Sequence, residues 1–292
     1  MIVHIAREGD LEELVEHIPR TAWELARRFW PGPLTMVLKK KQVVPPEVTA
    51  GLDTVAVRMP LHPAALALIE EAGLPIAAPS ANLSGRPSPT TALHVLEDLQ
   101  GKIDALIDGG PCVVGLESTV LDLTREKPRL LRPGGVTLED LQEVLEGKEI
   151  QVCTAPGKGE EALGGQEQPP PSPGLKYQHY APEVPMYLVE GEPSRVREKI
   201  INLCQENRLQ GKKVGVLVTA ENAANLQAEA VEIMGSRQAP QEIAASFFNS
   251  LRRLDASGVD LILAESLEEK GLGRALMNRL RKAASGKTIR AG

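Results

Sequence analysis

The chain has 292 residues, of which 42% are hydrophobic and 25% are charged, and its formal net charge is −6 at pH 7. These proportions are typical of a folded globular protein and exclude a disordered or fibrous chain. The negative net charge argues against a protein that coats nucleic acid electrostatically, although a local basic groove is compatible with it.

The first half of the chain predicts an alternation of strands and helices. Strands are expected at 2–5, 34–39, 54–59, 75–79, 105–108, 119–123 and 129–132. Helices are expected at 11–18, 21–30, 62–72, 92–99 and 138–145. Asp10 is the predicted N-cap of the first helix, and Thr137 with Asp140 resembles a capping box for the last.

The second half begins after a stretch rich in Gly, Pro and Glu, at about 154–173, that is typical of an interdomain linker. Strands are then expected at 186–189, 213–219, 230–234 and 259–264, and helices at 194–207, 241–255 and 273–284. This alternation predicts a Rossmann-like parallel α/β domain.

The three cysteines, Cys112, Cys153 and Cys204, lie far apart and form no CxxC pair. Such a set suits neither a disulfide framework nor a zinc site and indicates reduced thiols. No apolar run approaches the roughly 20 residues that span a bilayer, and the N-terminal residues lack a signal-peptide core. We therefore expect a cytoplasmic protein without a membrane contact.

A polar loop follows the predicted strand at 75–79 and contains Ser80, Asn82 and Ser88. Ligands of open α/β sheets bind at the carboxyl ends of strands, and hydroxyl and amide groups suit phosphate or ribose oxygens. An Asx or Ser turn that leads into the next helix explains the same residues equally well.

Two arginines end predicted strands and are candidate anion contacts. Arg58 ends the apolar strand TVAVR, and its planar guanidinium suits a carboxylate, with a surface salt bridge as the alternative. Arg132 precedes Pro-Gly-Gly and is either a phosphate contact or the end of a strand. His4, a lone histidine on the first strand, is by itself more typical of a packed or exposed residue than of a ligand.

Motifs for covalent or metal-based catalysis are missing from the sequence. It contains no GxSxG elbow, no HExxH, no GxxxxGK[ST] loop and no Cys/His cluster with ligand spacing. Any catalysis is therefore expected to depend on positioning and electrostatics rather than on a covalent nucleophile.

Seven segments together resemble the Sua5/YrdC/YciO family of threonylcarbamoyl-AMP synthases, in its long two-domain form. In chain order they are FWPGPLTMVLKK, GLDTVAVRMPLHP, PIAAPSANLSGRPSPTTA, IDGG…GLESTVLDL, LLRPGGVT, SPGLKYQHYAP and GLGRALMNRLRKAA. The resemblance implies an α/β fold: a YrdC-like twisted, open mixed sheet with helices, followed by a smaller Rossmann-like parallel α/β domain. It implies a catalytic domain at 1–150, a linker or lid at 151–184 and a C-terminal domain at 185–292.

The resemblance also implies a reaction and its partners. L-Threonine and bicarbonate form a carbamate that attacks the α-phosphate of ATP, with Mg²⁺ expected, and a downstream tRNA threonylcarbamoyl transferase uses the product. Threonine contacts are implied at His4, Arg58, the Ala78 backbone and Ser118. ATP contacts are implied at Thr54, Ser80, Asn82, Ser88, Arg132 and Tyr177. His179 and Tyr180 belong to a segment that folds over the active site as a lid in this family.

One feature of the family is missing from the sequence. Its members carry, before the strand that corresponds to 2–5, PTETVYGLG-like and KGRP-like segments that supply a threonine contact and a Lys/Arg pair for ATP. The resemblance therefore implies a first domain without one or two strands and some of its cations. Either the reading frame starts at an internal Met, or the chain as written is expected to bind ATP weakly and to release no pyrophosphate.

Other classes of function stay open alongside the synthase. An RNA-binding module with a weak RNA contact, and a nucleotide-sensing protein inactive as an enzyme, are the alternatives that suit a chain without those N-terminal motifs. A nicotinamide dehydrogenase is poorly supported because no GxGxxG lies between a strand and a helix at the required place.

Overall fold

The structure, a computed structural model, describes residues 1–153 and 180–292. These residues form two compact units, one of 1–79 with 117–153 and the other of 80–116 with 180–292. The domain bounds implied by the family resemblance divide the chain differently and stay a prediction. Within the described ranges, no helix is long and apolar enough to cross a membrane.

The first unit is built on a seven-stranded mixed sheet in the order β4-β1-β3-β2-β5-β6-β7. Its strands are β1 (Ile2–His4), β2 (Leu34–Lys39), β3 (Thr54–Arg58), β4 (Ile76–Ala78), β5 (Thr119–Asp122), β6 (Arg129–Arg132) and β7 (Gln151–Val152). β3 pairs in parallel with β1 and antiparallel with β2. The mixed pairing confirms the expected YrdC-like sheet.

The two faces of this sheet are packed unequally. The α-helices within residues 1–153 are α1 (Leu11–Leu14), α2 (Arg20–Phe29), α3 (Pro46–Thr49), α4 (Pro63–Ala72), α5 (Ala92–Leu99) and α6 (Leu138–Val144). Of these, α5 belongs to the second unit and the others belong to the first. One face packs against Leu11, Leu25 and Leu141 of α1, α2 and α6 in a large core. The other face bears a small buried cluster of Ile2, Val37, Ala56, Val120 and Leu131, and we call it the sparse face.

The second unit is a three-layer sandwich around five parallel strands in the order β10-β9-β11-β8-β12. The strands are β8 (Met186–Glu190), β9 (Val214–Val218), β10 (Ala230–Ile233), β11 (Leu261–Glu265) and β12 (Thr288–Arg290). α8 (Pro240–Asp255) and α9 (Leu272–Ala283) pack on one face, and α7 (Pro193–Leu209) packs on the other. This arrangement confirms the predicted Rossmann-like α/β domain.

The strand predicted at 105–108 is wrong. Residues 104–110 have no regular structure, and Leu106 and Ile107 are 36% and 64% exposed. An apolar run becomes a strand only where a neighbouring strand pairs with it, and here none of the described strands does.

The first predicted helix is shorter than the sequence indicates. α1 ends at Leu14 because Val15 turns to extended backbone and bridges to Lys40. Asp10 does not cap α1, since its carboxylate accepts the backbone N–H of Arg7 at 3.0 Å instead. α3, β7 and β12 are short elements that the sequence pattern does not predict.

The capping box at the start of α6 is confirmed. Thr137 Oγ1 accepts the N–H of Asp140 at 3.1 Å, and the Asp140 carboxylate accepts the N–H of Thr137 at 2.9 Å. We expect Thr137→Ala to lower the free energy of unfolding by about 1 kcal/mol, because the N–H of Asp140 loses its side-chain acceptor. Thr137→Ser keeps the acceptor and is the control in urea denaturation; equal losses in both variants would contradict the assignment.

Candidate active site

Two of the predicted threonine contacts, His4 and Arg58, are direct neighbours in the first sheet. They lie opposite each other in the register of the parallel pair β1 and β3, and both are half-buried. Because side chains alternate along a strand, His4 shares a face with Ile2, and Arg58 shares that face with Ala56. Both candidate residues therefore stand on the sparse face.

The guanidinium of Arg58 is oriented by the backbone of the Pro-Gly-Pro turn before β2. Its Nε donates to the Gly32 carbonyl at 2.9 Å, and the Gly32 N–H donates to the Met59 carbonyl at 2.9 Å. A Cβ on Gly32 would lie 2.2 Å from the Phe29 carbonyl oxygen, so this close approach requires glycine. The turn therefore fixes the plane of an arginine whose geometry suits a carboxylate.

Ser118, a third predicted threonine contact, is linked to this row of the sheet through Thr35. Met36 lies opposite Val57, so the preceding residue, Thr35, falls opposite Arg58. The hydroxyls of Thr35 and Ser118 are 2.7 Å apart, and both side chains are buried. The structure thus places Arg58 and Ser118 around the same part of the first sheet.

Arg132, predicted as an ATP contact, braces Ser118. Its Nε donates to the Ser118 carbonyl at 3.1 Å, and its Nη2 donates to Ser118 Oγ at 3.2 Å. The following glycine, Gly134, lies directly against the same segment, since a Cβ there would be 2.4 Å from the Glu117 carbonyl oxygen and from the Thr119 nitrogen. The Arg-Pro-Gly-Gly turn therefore fixes the backbone from Glu117 to Thr119 and, through Arg132, the position of the Ser118 hydroxyl.

The pKa of His4 lies below its ordinary value of 6.5. Desolvation by burial is the main cause, and the positive charge of Arg58 adds to it. Near pH 7 the imidazole is therefore neutral. A carboxylate bound beside His4 and Arg58 interacts with one positive charge, that of Arg58.

This depressed pKa makes part of the stability depend on pH. In the window below 6.5 and above the folded pKa, the unfolded chain binds a proton that the folded chain does not. The contribution of His4 is therefore fully present above pH 6.5 and is lost as the pH falls below that value. We expect the loss of unfolding free energy between pH 7.5 and 5.5 to be smaller in His4→Gln than in the wild type. His17→Gln controls for the removal of one histidine, and identical pH profiles for wild type and His4→Gln would contradict the assignment.

Thr54 and the Ala78 backbone lie away from the Arg58 end of the sheet. Thr54 begins β3 and Arg58 ends it, a separation of roughly 13 Å along the strand. Ala78 lies opposite Ile2 at the start of β1. By strand alternation Thr54 shares the sparse face with Arg58, so this face carries a threonine candidate at one end and an ATP candidate at the other.

Three further ATP candidates lie in the second unit, in a loop of residues 80–91 that we call the polar loop. Ser80 is exposed, Asn82 is half-buried, and Ser88 is buried. Asn82 Nδ2 donates to the carbonyls of Leu83 and Arg86 at 2.8 and 3.1 Å. Its Oδ1 is buried without a hydrogen-bond partner among the described residues. The amide therefore closes a turn and still presents an acceptor, to which a ligand or water can donate.

Of the three residues assigned to the linker segment, the structure describes one. Tyr180 is 5% exposed and packs on Phe248 with ring centroids 5.3 Å apart, and Arg279 lies over its ring at 5.8 Å. It therefore has a packing role in the second unit, and its part in a lid stays a prediction. Tyr177 and His179 lie outside the described residues.

Two family models match the chain. One, of the Sua5/YciO/YrdC family and described as "telomere recombination", covers residues 1–134. The other, described as "threonylcarbamoyl-AMP synthase, C-terminal domain", covers residues 136–285. The chain belongs to the threonylcarbamoyl-AMP synthase family.

Individual members of the threonylcarbamoyl-AMP synthase family match nearly the whole chain. The relative from Pyrococcus abyssi is 50% identical over 99% of this chain and 81% of its own length, and the one from Bacillus subtilis is 48% identical over 99% and 80%. A crystal structure of P. abyssi Sua5 complexed with L-threonine matches with a TM-score of 0.90 and 49% identity, over 99% of this chain and 81% of that one.

Sequence reasoning missed Gly32 and Thr35, which support the threonine candidates of this family member. Thr35 is a fully buried hydroxyl within an otherwise apolar strand, which is an available but weak signal. Its partner Ser118 is 83 residues away, so the pairing itself could not be read from local pattern.

The described residues contain no preformed cluster of metal-ligating side chains. Within 1–153 and 180–292, no three His, Cys, Asp or Glu side chains group in a way that could hold a metal ion. All three cysteines are free thiols, and burial raises the pKa of Cys204 to about 11. A buried thiol with a raised pKa is a poor nucleophile, and Cys204 is given no role in the chemistry derived below.

Proposed function

We propose that this chain synthesises threonylcarbamoyl-AMP from L-threonine, bicarbonate and ATP, with release of diphosphate. The observation that carries the proposal is the 50% identity over 99% of the chain to an archaeal threonylcarbamoyl-AMP synthase. The pairing of His4 with Arg58 on the sparse face supports it, because it offers one oriented cation for a carboxylate.

The amino acid is bound through its carboxylate. The guanidinium of Arg58, whose plane is held by the Gly32 carbonyl, forms the charge-assisted pair. The neutral imidazole of His4 and the Ser118 hydroxyl, held by Thr35 and Arg132, supply polar contacts beside it. These groups orient threonine with its amine toward the carbon of bicarbonate.

The reaction then proceeds in two bond-forming steps. The threonine ammonium first loses a proton, the resulting amine attacks the carbon of bicarbonate, and loss of water leaves a carbamate. A carbamate oxygen attacks the α-phosphorus of ATP while the bond from that phosphorus to the bridging oxygen of diphosphate breaks. No protein nucleophile is needed, so the chain contributes by orienting the reactants and by donors around the phosphates.

The nucleotide is proposed to contact Thr54, Ser80, Asn82, Ser88 and Arg132, together with Tyr177. Mg²⁺ is proposed to enter with ATP, whose phosphate oxygens and water supply most of the ligands of this ion. No step of this mechanism is assigned to a protein-bound metal ion.

The product is a reactive mixed anhydride, so its use requires a partner. We propose a tRNA threonylcarbamoyl transferase that receives it in the cytoplasm, where tRNA and ATP meet. A direct RNA contact of this chain is expected to be weak because its net charge is −6.

The test is pyrophosphate release that depends on threonine. The purified chain is incubated with Mg·ATP, bicarbonate and L-threonine, and the product is identified by mass spectrometry. We expect release only when all three substrates are present. Pyrophosphate release that does not depend on threonine, or tight ATP binding without any product, would favour the nucleotide-sensing alternative instead.

A further inference from the structure

A buried ion-pair network lies under the polar loop in the second unit. Asp98 on α5 is 2% exposed and accepts from Arg252 Nη2 at 2.7 Å and from Arg86 Nη1 at 2.8 Å. Its carboxylate also accepts the backbone N–H of Leu83 at 3.4 Å. One carboxylate therefore gathers two arginines and the backbone next to Asn82.

Arg252 comes from α8, more than 150 residues further along the chain, and reaches the same loop directly. Its side chain is 7% exposed, and its Nη2 donates to the Pro87 carbonyl at 2.6 Å as well as to Asp98. Pro87 is the residue before Ser88, one of the proposed ATP contacts. A single side chain of the Rossmann-like sandwich thus holds both α5 and the backbone of the polar loop.

The two arginines compensate the charge of Asp98, and each has a second acidic partner: Arg252 lies 3.8 Å from Glu97, and Arg86 lies 3.5 Å from Glu183. Burial acts to raise the pKa of Asp98, but the hydrogen bond and charge of Arg252, the charge of Arg86 and the Leu83 N–H together lower it below its ordinary value. A buried pair of this kind adds little net stability, whereas removal of one partner leaves an uncompensated buried charge. The geometry that the pair imposes on the loop is therefore its more specific consequence.

The polar loop has further ties that do not involve Arg252. The Gly85 carbonyl accepts the N–H of Ala181 at 3.0 Å, and Asn82 closes its own turn. The loop can therefore stay folded when the arginine is replaced, while the backbone at Pro87 and Ser88 loses its support.

We propose that Arg252 is a positioning residue for ATP, which holds the polar loop through Pro87 and Asp98 without touching the nucleotide. This inference rests on the proposed function, in which Ser80, Asn82 and Ser88 contact ATP. It assigns the Rossmann-like sandwich a part in nucleotide binding, although none of the proposed ATP contacts lies on the strands and helices of that sandwich.

The test separates the KM for ATP from the KM for threonine. Arg252→Met removes the hydrogen bonds to the Pro87 carbonyl and to Asp98. We expect it to raise the KM for ATP roughly tenfold or more and to leave the KM for threonine within about twofold of the wild type. Arg252→Lys keeps a charge for Asp98 but cannot reproduce the fork, so a smaller rise is expected. Arg253→Ala, the adjacent arginine with a side chain 65% exposed, is the matched control and should leave both constants unchanged.

A second variant excludes a merely structural effect. Arg252→Met combined with Asp98→Asn removes both charges of the buried pair and keeps an oxygen that accepts from Arg86 and from the Leu83 N–H. We expect this double variant to recover much of the unfolding temperature that Arg252→Met loses. The KM for ATP should nevertheless stay raised because the bond to Pro87 is still missing. A wild-type KM for ATP in this folded double variant would overturn the proposal. Equal rises of the KM for ATP and the KM for threonine would also overturn it, as would failure of Arg252→Met, Arg252→Lys and the double variant to fold.

Failure of the proposed function would be recognised independently. If the wild-type chain released no threonine-dependent pyrophosphate, calorimetry with ATP alone would still compare wild type with Arg252→Met. Equal ATP affinities in that comparison would overturn the positioning role as well.

Discussion

Replacement of Arg58 by alanine is expected to lower kcat/KM for L-threonine by roughly a hundredfold. The variant loses a bidentate, charge-assisted pair with the substrate carboxylate worth roughly 3 kcal/mol. Threonine binding measured by calorimetry should weaken to the same extent, while ATP binding should change little because Thr54 and the polar loop are untouched.

The matched control for Arg58→Ala is Arg20→Ala, which removes the same charge from a side chain that is 93% exposed on α2. It should keep full activity. Arg58→Lys should fall between wild type and alanine, since an ammonium supplies charge without the planar fork. A wild-type affinity for threonine in folded Arg58→Ala would remove this arginine from the proposed site.

The Gly134→Ala variant is expected to lose about 3 kcal/mol or more of unfolding free energy and most of its activity. A Cβ at this position would meet the Glu117 carbonyl oxygen, the Thr119 nitrogen and the Ser118 carbonyl carbon at 2.4 to 2.5 Å. These are backbone atoms, so the whole turn would have to move away from Ser118. Urea denaturation and pyrophosphate release measure the two effects.

Gly9→Ala is the control for this change, because a Cβ on Gly9 has nothing within 4 Å. It should leave both stability and activity within experimental error. An unfolding midpoint of Gly134→Ala equal to that of the wild type would contradict this prediction, because it would show that the backbone from Glu117 to Thr119 moves to accommodate the Cβ.

Much of the fold could be predicted from local pattern. β2, at Leu34–Lys39, and α5, at Ala92–Leu99, have the bounds that the sequence indicates, because apolar alternation and helix-terminal residues act over short distances. The parallel strands of the second unit and the capping box of α6 are confirmed for the same reason. The strand expected at 105–108 failed because pairing with another strand is not a local property.

The candidate site was only partly readable. Arg58 and the polar loop could be identified by residue type and by their place at strand ends. The support of these residues could not, because Thr35 meets Ser118, and Arg252 meets Pro87, across 83 and 165 positions of the chain.

The sequence by itself determined the class of fold, the family resemblance and the residue types that meet threonine and ATP in the proposed reaction. Those features depend on side-chain chemistry and on patterns a few residues long. Only the tertiary structure decided that His4 lies beside Arg58, that Arg132 donates hydrogen bonds to Ser118, and that Arg252 of the C-terminal half holds the polar loop. Strand order, register and burial are long-range properties, and they arise only when distant segments pack together.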